Sequence, residues 1–231
     1  MYLLKPNSDV IVIDVETTGV DPEKNAVVSI AAAVCDVAHN IRAKRVFTLR
    51  PHDGAIIEPK AMEVNGLTEL EIMTYPPAEK TLKEFNSWLF ANCSENPRFA
   101  LWYAWGVGFD DKFLFKTFER AGVEAYARRI WVCMRGLAIH LNLYSSLLSG
   151  GDKTETKNVR KFCEMLGTEF EGREHDPLAD VVNSIKVLRL SMARLMRAVQ
   201  ADTLEEILGV DSDEAVKNAV AGVKKAMEAG K

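Results

Sequence analysis

Two carboxylates one residue apart, Asp14 and Glu16, stand directly behind the apolar run Val10-Ile11-Val12-Ile13, in the stretch Asp14-Val15-Glu16-Thr17-Thr18-Gly19. In an extended chain, side chains two apart share a face, so both acids project together from the end of such a strand. Side by side they repel and raise each other's pKa unless a cation sits between them. Hard divalent ions such as Mg²⁺ prefer oxygen ligands of this kind and rarely need an all-protein cage. An Asp-x-Glu after a strand is also common surface chemistry, so its meaning depends on the other acids of the chain.

Two further acidic positions stand at helix starts. Phe109-Asp110-Asp111 opens an amphipathic stretch, where acids also complement the helix dipole. In His175-Asp176-Pro177-Leu178-Ala179-Asp180, Asp176 suits an N-cap and Pro177 the first helical position. That places Asp180 in the first turn and His175 in the loop feeding it, close enough for both to approach one site. Imidazole, with an ordinary pKa of roughly 6.5, is suited to proton transfer near neutrality.

Elements able to position these groups follow from periodicity. Residues 10–13, 26–34 and 45–49 read as three strands in succession, and 51–77 as a loop-rich segment holding Gly54, Pro59, Gly66, Pro76 and Pro77. Residues 81–90 have helical spacing, 99–105 read as a buried aromatic strand, and 109–120 as a helix stopped by Gly122. A fifth strand is expected over 130–134. Helices are expected over 137–148, ending at Gly150-Gly151, and over 158–166, stopped by Gly167. From Leu178 the spacing Val181, Ile185, Leu188, Met192, Leu195, Val199 marks a long amphipathic helix. The sum is an α/β fold, one mixed five-stranded sheet flanked by helices. Residues 1–200 form the domain and 201–231 a polar, Ala-rich tail, read as helical or partly disordered.

Composition bounds the partners. The chain has 231 residues, 48% hydrophobic and 27% charged, enough for one well-filled domain. A net charge of −4 gives no global attraction to a polyanion, which must instead be held by local basic groups and bound cations. The four cysteines, Cys35, Cys93, Cys133 and Cys163, are scattered and form no CxxC pair, as expected of reduced thiols in the cytoplasm. Neither a signal peptide nor a membrane-spanning run is expected.

The order of these motifs resembles the DEDDh group of 3′–5′ exonucleases, which includes proofreading subunits, ribonuclease T and phage exodeoxyribonucleases. Asp14-Val15-Glu16-Thr17-Thr18-Gly19 is similar to the group's first motif, Phe109-Asp110 to its second, and His175 with Asp180 to its third. Val64-Asn65-Gly66-Leu67-Thr68 resembles the segment that touches terminal nucleotides. One position departs: the second motif often carries an asparagine where this chain has Gly106. The resemblance covers residues 10–199 and implies a ribonuclease-H-like fold. It also implies two divalent cations, Mg²⁺ with Mn²⁺ as substitute, the number that balances four carboxylates. Asp14 would bridge both ions, Glu16 and Asp180 would complete the first, and Asp110 would hold the second. His175 would act as general base, and Thr17, Asn65, Leu67 and Phe109 would contact substrate.

The implied reaction releases nucleoside 5′-monophosphates from single-stranded or frayed 3′ ends, with DNA placed ahead of RNA. A monomer and a homodimer are both compatible with the sequence. A catalytically silent nucleic-acid-binding module associated with a polymerase is the main alternative, opposed by the intact acidic set. A phosphohydrolase of the Asp-x-Asp type is opposed by Glu16 and by the third motif.

Overall fold

The computed structural model describes residues 9–127, 131–149 and 158–198. The chain runs β1 (Val10–Thr17), β2 (Val27–Cys35), β3 (Ile41–Thr48), α1 (Pro59–Asn65), α2 (Glu69–Met73), α3 (Ala78–Asn92), β4 (Leu101–Ala104), α4 (Asp110–Ala121), β5 (Trp131–Cys133), α5 (Met134–Ser149), α6 (Val159–Met165) and α7 (Pro177–Ala198). The sheet order is β3-β2-β1-β4-β5. β1 pairs antiparallel with β2 and parallel with β4. The outer pairs are β2 with β3, antiparallel, and β4 with β5, parallel.

β1 is central, and its two faces have different partners. Ile11, Ile13 and Val15 face a core with Leu82, Phe85 and Leu89 of α3 and Phe113, Leu114 and Phe118 of α4. Val10 and Val12 face the other way, against Val181, Ile185 and Leu188 of α7 and Met134 of α5. Ala31 and Ala33 of β2 share that second core, and their small side chains let α7 lie close across β1, β2 and β3.

Four expectations need amending. β1 does not stop at Ile13. Pairing with β2 continues through Asp14↔Ala31 and Glu16↔Ser29, with a register shift between Glu16 and Thr17, so the two acids lie within the strand. β3 starts earlier than expected, at Ile41, because its exposed Arg42 and Arg45 belong to a charged sheet edge rather than a buried run. Residues 51–77 are not merely loop. Pro59 opens α1, Gly66 closes it in a left-handed conformation (φ 67°), and Thr68 caps α2 by accepting the Glu71 N–H. The Pro and Gly that suggested loop are the start and stop of a short helix. The buried aromatic strand is shorter than 99–105: Pro97–Phe99 is a 3-10 turn, and β4 keeps only Leu101–Ala104.

Ile130, Gly150, Val199 and the tail 201–231 lie outside the described residues. Among the described residues, no helix is long and apolar enough to cross a membrane.

Because Ile185 is buried against β1 at 2% exposure, Ile185→Ala removes part of the contact that sets α7 on the sheet. It should lower unfolding free energy by about 2–5 kcal/mol. Urea unfolding checks this; a loss under about 1 kcal/mol would mean that α7 is set by its ends instead.

Candidate active site

The site forms where β1 outruns β4. The parallel ladder stops at Ile13↔Ala104, while β1 continues to Thr17 with β2 alone. Beyond Ala104 the chain turns through residues 105–109 into α4, whose first residue, Asp110, reaches back. Its Oδ1 accepts the Val15 backbone N–H at 3.2 Å. A carboxylate thus takes the place of the missing strand partner. Ligand sites in open α/β sheets gather at such carboxyl ends of strands.

Asp14 and Glu16 continue the β1 face begun by Val10 and Val12, the face on which α7 packs. Leu178 and Val181 of α7 both pack on this face, so Asp180, between them, arrives at the same end. Asp176 caps α7 by accepting the N–H groups of Leu178 (3.0 Å) and Ala179 (3.1 Å). The His175 N–H donates to Asp180 Oδ2 at 3.0 Å. Potential ligand atoms of Glu16, His175 and Asp180 all lie within 4.8 Å of one another.

The cleft has a volume of about 440 Å³, and Asp14, Glu16, Asp110, Asp180 and His175 all line it. Thr17, Asn65 and Phe109 line it as well. The Thr17 hydroxyl donates to Gly19 O at 2.6 Å, and Asn65 Nδ2 donates to Thr17 O at 2.9 Å. Phe109 is 37% exposed, with its ring 4.8 Å from that of Phe113. Leu67 is the exception. The reversal at Gly66 turns it onto Val28, Met62 and Ile72, away from the cleft.

Val64, one turn on from Lys60 and Ala61, takes the cleft wall instead. The sequence places Val64 in the segment resembling a nucleotide contact but does not single it out, because the helix over 59–65 that sets the spacing 60, 61, 64 is not evident there. Trp105, read as core, also lines the cleft while its ring stacks edge-on against Phe162. Asp111 accepts the Gly108 N–H at 2.7 Å, a local turn bond. Gly106 leaves room, since an added Cβ would approach nothing nearer than Asp110 Oδ2 at 4.0 Å.

The loop beside β1 is fixed by side chains. The Thr18 hydroxyl donates to Ile56 O and accepts the Ala26 N–H, and Asn25 Nδ2 also donates to Ile56 O. A Cβ on Gly19 would collide with Asn25 and Glu58, so the close approach needs glycine.

Electrostatically the cluster is under tension. Burial, then the charges of Asp110, Glu16 and Asp180, hold Asp14 well above the ordinary carboxylate range. Burial, then Asp180, Asp110 and Asp176, push Glu16 up to about 8, with Arg173 pulling the other way. Burial pushes Asp110 up to about 7 against the hydrogen bonds from backbone N–H groups. Asp180 is raised by burial, and His175 offsets part of the rise. A donor set of converging carboxylate oxygens whose charged forms lack compensation fits hard divalent cations.

A five-stranded mixed sheet, with acids from β1, α4 and α7 and a histidine meeting at the end of its central strand, defines a hydrolytic nuclease of the ribonuclease-H-like class. The chain belongs to the exonuclease family RNase_T, whose sequence model matches residues 11–188. It is 26% identical over 196 residues to ribonuclease T of Shewanella frigidimarina (strain NCIMB 400), covering 80% of this chain and 82% of that protein. It is 28% identical over 193 residues to ribonuclease T of Haemophilus influenzae (strain PittGG), covering 77% and 76%.

Solved structures establish the same fold. E. coli exonuclease I in complex with a dT13 oligonucleotide superposes with a TM-score of 0.66 at 21% identity, over 82% of this chain and 42% of that one. The nuclease domain of 3′hExo, a DEDDh family member bound to rAMP, gives a TM-score of 0.60 at 16% identity, over 79% and 90%. The chain therefore spans less than half the length of exonuclease I.

The raised carboxylates predict the pH response of the metal-free protein. Between the ordinary value of 4.5 and about 8 for Glu16, the folded chain keeps a proton that the unfolded chain has already released. Stability from this source is complete at low pH and is lost as pH rises through the folded values of about 7 and about 8. In EDTA, the thermal midpoint should fall from about pH 5 to about pH 8, and fall less in Asp14→Asn; Mn²⁺ should restore the wild type most at the alkaline end. A profile identical in the two proteins contradicts the account.

Proposed function

We propose that the protein removes nucleotides one at a time from the free 3′ end of single-stranded or frayed nucleic acid, releasing nucleoside 5′-monophosphates. The convergence of Asp14, Glu16, Asp110, Asp180 and His175 in one open cleft carries this reading. Two divalent cations, Mg²⁺ with Mn²⁺ as substitute, would be held by Asp14, Glu16 and Asp180 on one side and Asp14 and Asp110 on the other. When bound, they supply charge neutralisation at the phosphate and an acidified water.

In this proposal His175, beside Glu16 and Asp180, takes the proton of the attacking water through a neutral ring nitrogen. Thr17 holds the terminal sugar with its backbone and hydroxyl oxygen. Asn65 keeps α1 against β1 through its bond to Thr17 O. Phe109 and Val64 offer apolar walls on which terminal bases pack without regard to sequence; Leu67, turned into a neighbouring core, is not assigned that contact. A paired terminus must unpair before its last base can leave the stack and enter a cleft of this size. The oligonucleotide complex of exonuclease I supports a single strand as substrate, and the ribonuclease T relatives keep RNA beside DNA. We place the reaction in the reducing cytoplasm, in keeping with the four free cysteines.

Digestion of matched 5′-labelled DNA and RNA oligonucleotides tests the class and ranks the two sugars. A descending ladder should appear with Mg²⁺, vanish in EDTA, and slow strongly when the 3′-hydroxyl is blocked by phosphate. Cleavage of a circular single strand at a comparable rate contradicts 3′-end selection. Asp14→Ala should be inactive yet as stable as the wild type without metal; measurable turnover in that variant overturns the metal assignment. His175→Ala should lose about 10²- to 10⁴-fold in turnover, with divalent-cation binding little changed. Near-normal turnover in the alanine variant removes His175 from the mechanism.

A further inference from the structure

The loop that delivers His175 is held at several points. Its base is fixed to α7, where Asn183 accepts the Glu171 N–H (3.0 Å) and donates to Glu171 O (2.8 Å). On one flank Glu174 pairs with Arg160 at 3.1 Å and accepts from Asn158 Nδ2 at 3.3 Å, beside α6. On the opposite flank Arg173 reaches α1, its Nη2 donating to Asn65 O at 3.0 Å. That carbonyl belongs to the last turn of α1, where backbone acceptors lack helical partners.

The guanidinium also lies against Gly66. A Cβ there would stand 2.7 Å from Nη1 and 3.0 Å from Nη2, and the glycine is left-handed at φ 67°. Asn65 in turn donates to Thr17 O. A continuous series of contacts therefore runs from β1 through α1 to the residue two before the histidine. His175 itself is exposed and left-handed, at φ 60°, a backbone state uncommon for a residue with a side chain.

We infer that Arg173 is a positioning residue: its bond to the Asn65 carbonyl and its packing on Gly66 latch the histidine loop to α1, fixing His175 relative to the wall that receives the 3′ end. Lysine cannot reproduce the latch, since an ammonium does not lie flat on a glycine while bonding a carbonyl with its edge. The inference rests on the proposed role of His175 as base, and the test separates the two.

Single-turnover excision from a 5′-labelled oligonucleotide is measured in the wild type, Arg173→Ala, His175→Ala and the double variant. Arg173→Ala should slow the excision step about 10- to 100-fold, as misplacement of a reacting group does. Its half-saturating substrate concentration should stay within about twofold, and in the His175→Ala background the same change should alter the rate by less than about twofold. Amide hydrogen exchange, read without substrate or metal, should quicken across residues 171–178 and stay unchanged in β1 and β2.

Equal fold-losses in both backgrounds, or a loss carried by half-saturation and by salt dependence, would make Arg173 a phosphate contact and overturn the latch. Unchanged exchange in the loop also overturns it, whatever the kinetics. Near-normal turnover in His175→Ala alone rejects the base, and the exchange data then still decide whether the loop is latched.

Discussion

Four carboxylates share one end of the central strand, and their mutual repulsion in a largely buried setting is the constraint on which the site is built. Glu16 and Asp110 are buried, Asp14 and Asp180 half-buried, and all four are raised above the ordinary carboxylate value. Such a group is tolerated only where the rest of the fold compels it. Here the compulsion comes from both faces of β1, packed on α3 and α4 on one side and on α5 and α7 on the other. The cores leave the end of the strand no freedom to splay its acids apart. Opposite charge supplied from outside relieves the tension, which turns a cost of folding into affinity for cations.

Each acid is placed by a different means. Asp14 and Glu16 owe their positions to strand pleat. Asp110 is set by a hydrogen bond to the Val15 N–H left unpaired where β4 ends. Asp180 follows from the register of α7 on β1, with Asp176 closing the helix start. The histidine stands apart from this framework, on a loop whose shape depends on side-chain ties to α1, α6 and α7. Rigid elements carry the four acids, and a loop held by side-chain ties carries the histidine.

What could be read in the sequence divides along the same line. Val10 to Ile13, the all-buried β2 and the α7 stripe announced themselves because each is a long apolar pattern of one period. Asp176-Pro177 marked the α7 start because capping is local chemistry. α1 was hidden by its own punctuation, Pro59 and Gly66 reading as loop when they bound a seven-residue helix. That one omission hid which side chain borders the cleft, Val64 and not Leu67, since the direction of a side chain across a helix end depends on the left-handed turn at Gly66. Trp105 packs on the cores beneath α6 and α7, as a buried aromatic strand implies, and also borders the cleft because β4 ends one residue before it. Arg173 gave no signal at all, because its partner is a backbone carbonyl 108 residues away.

If the strained carboxylates bind divalent cations, metal uptake must displace the protons they hold. Calorimetric titration of the metal-free protein with Mn²⁺ near pH 7, in two buffers of different ionisation enthalpy, measures ion count and proton release together. Two ions bound per chain with net release of protons is the predicted result, because carboxylates that hold protons when empty must surrender them to a metal. Binding without proton release, or no binding near neutral pH, would contradict it.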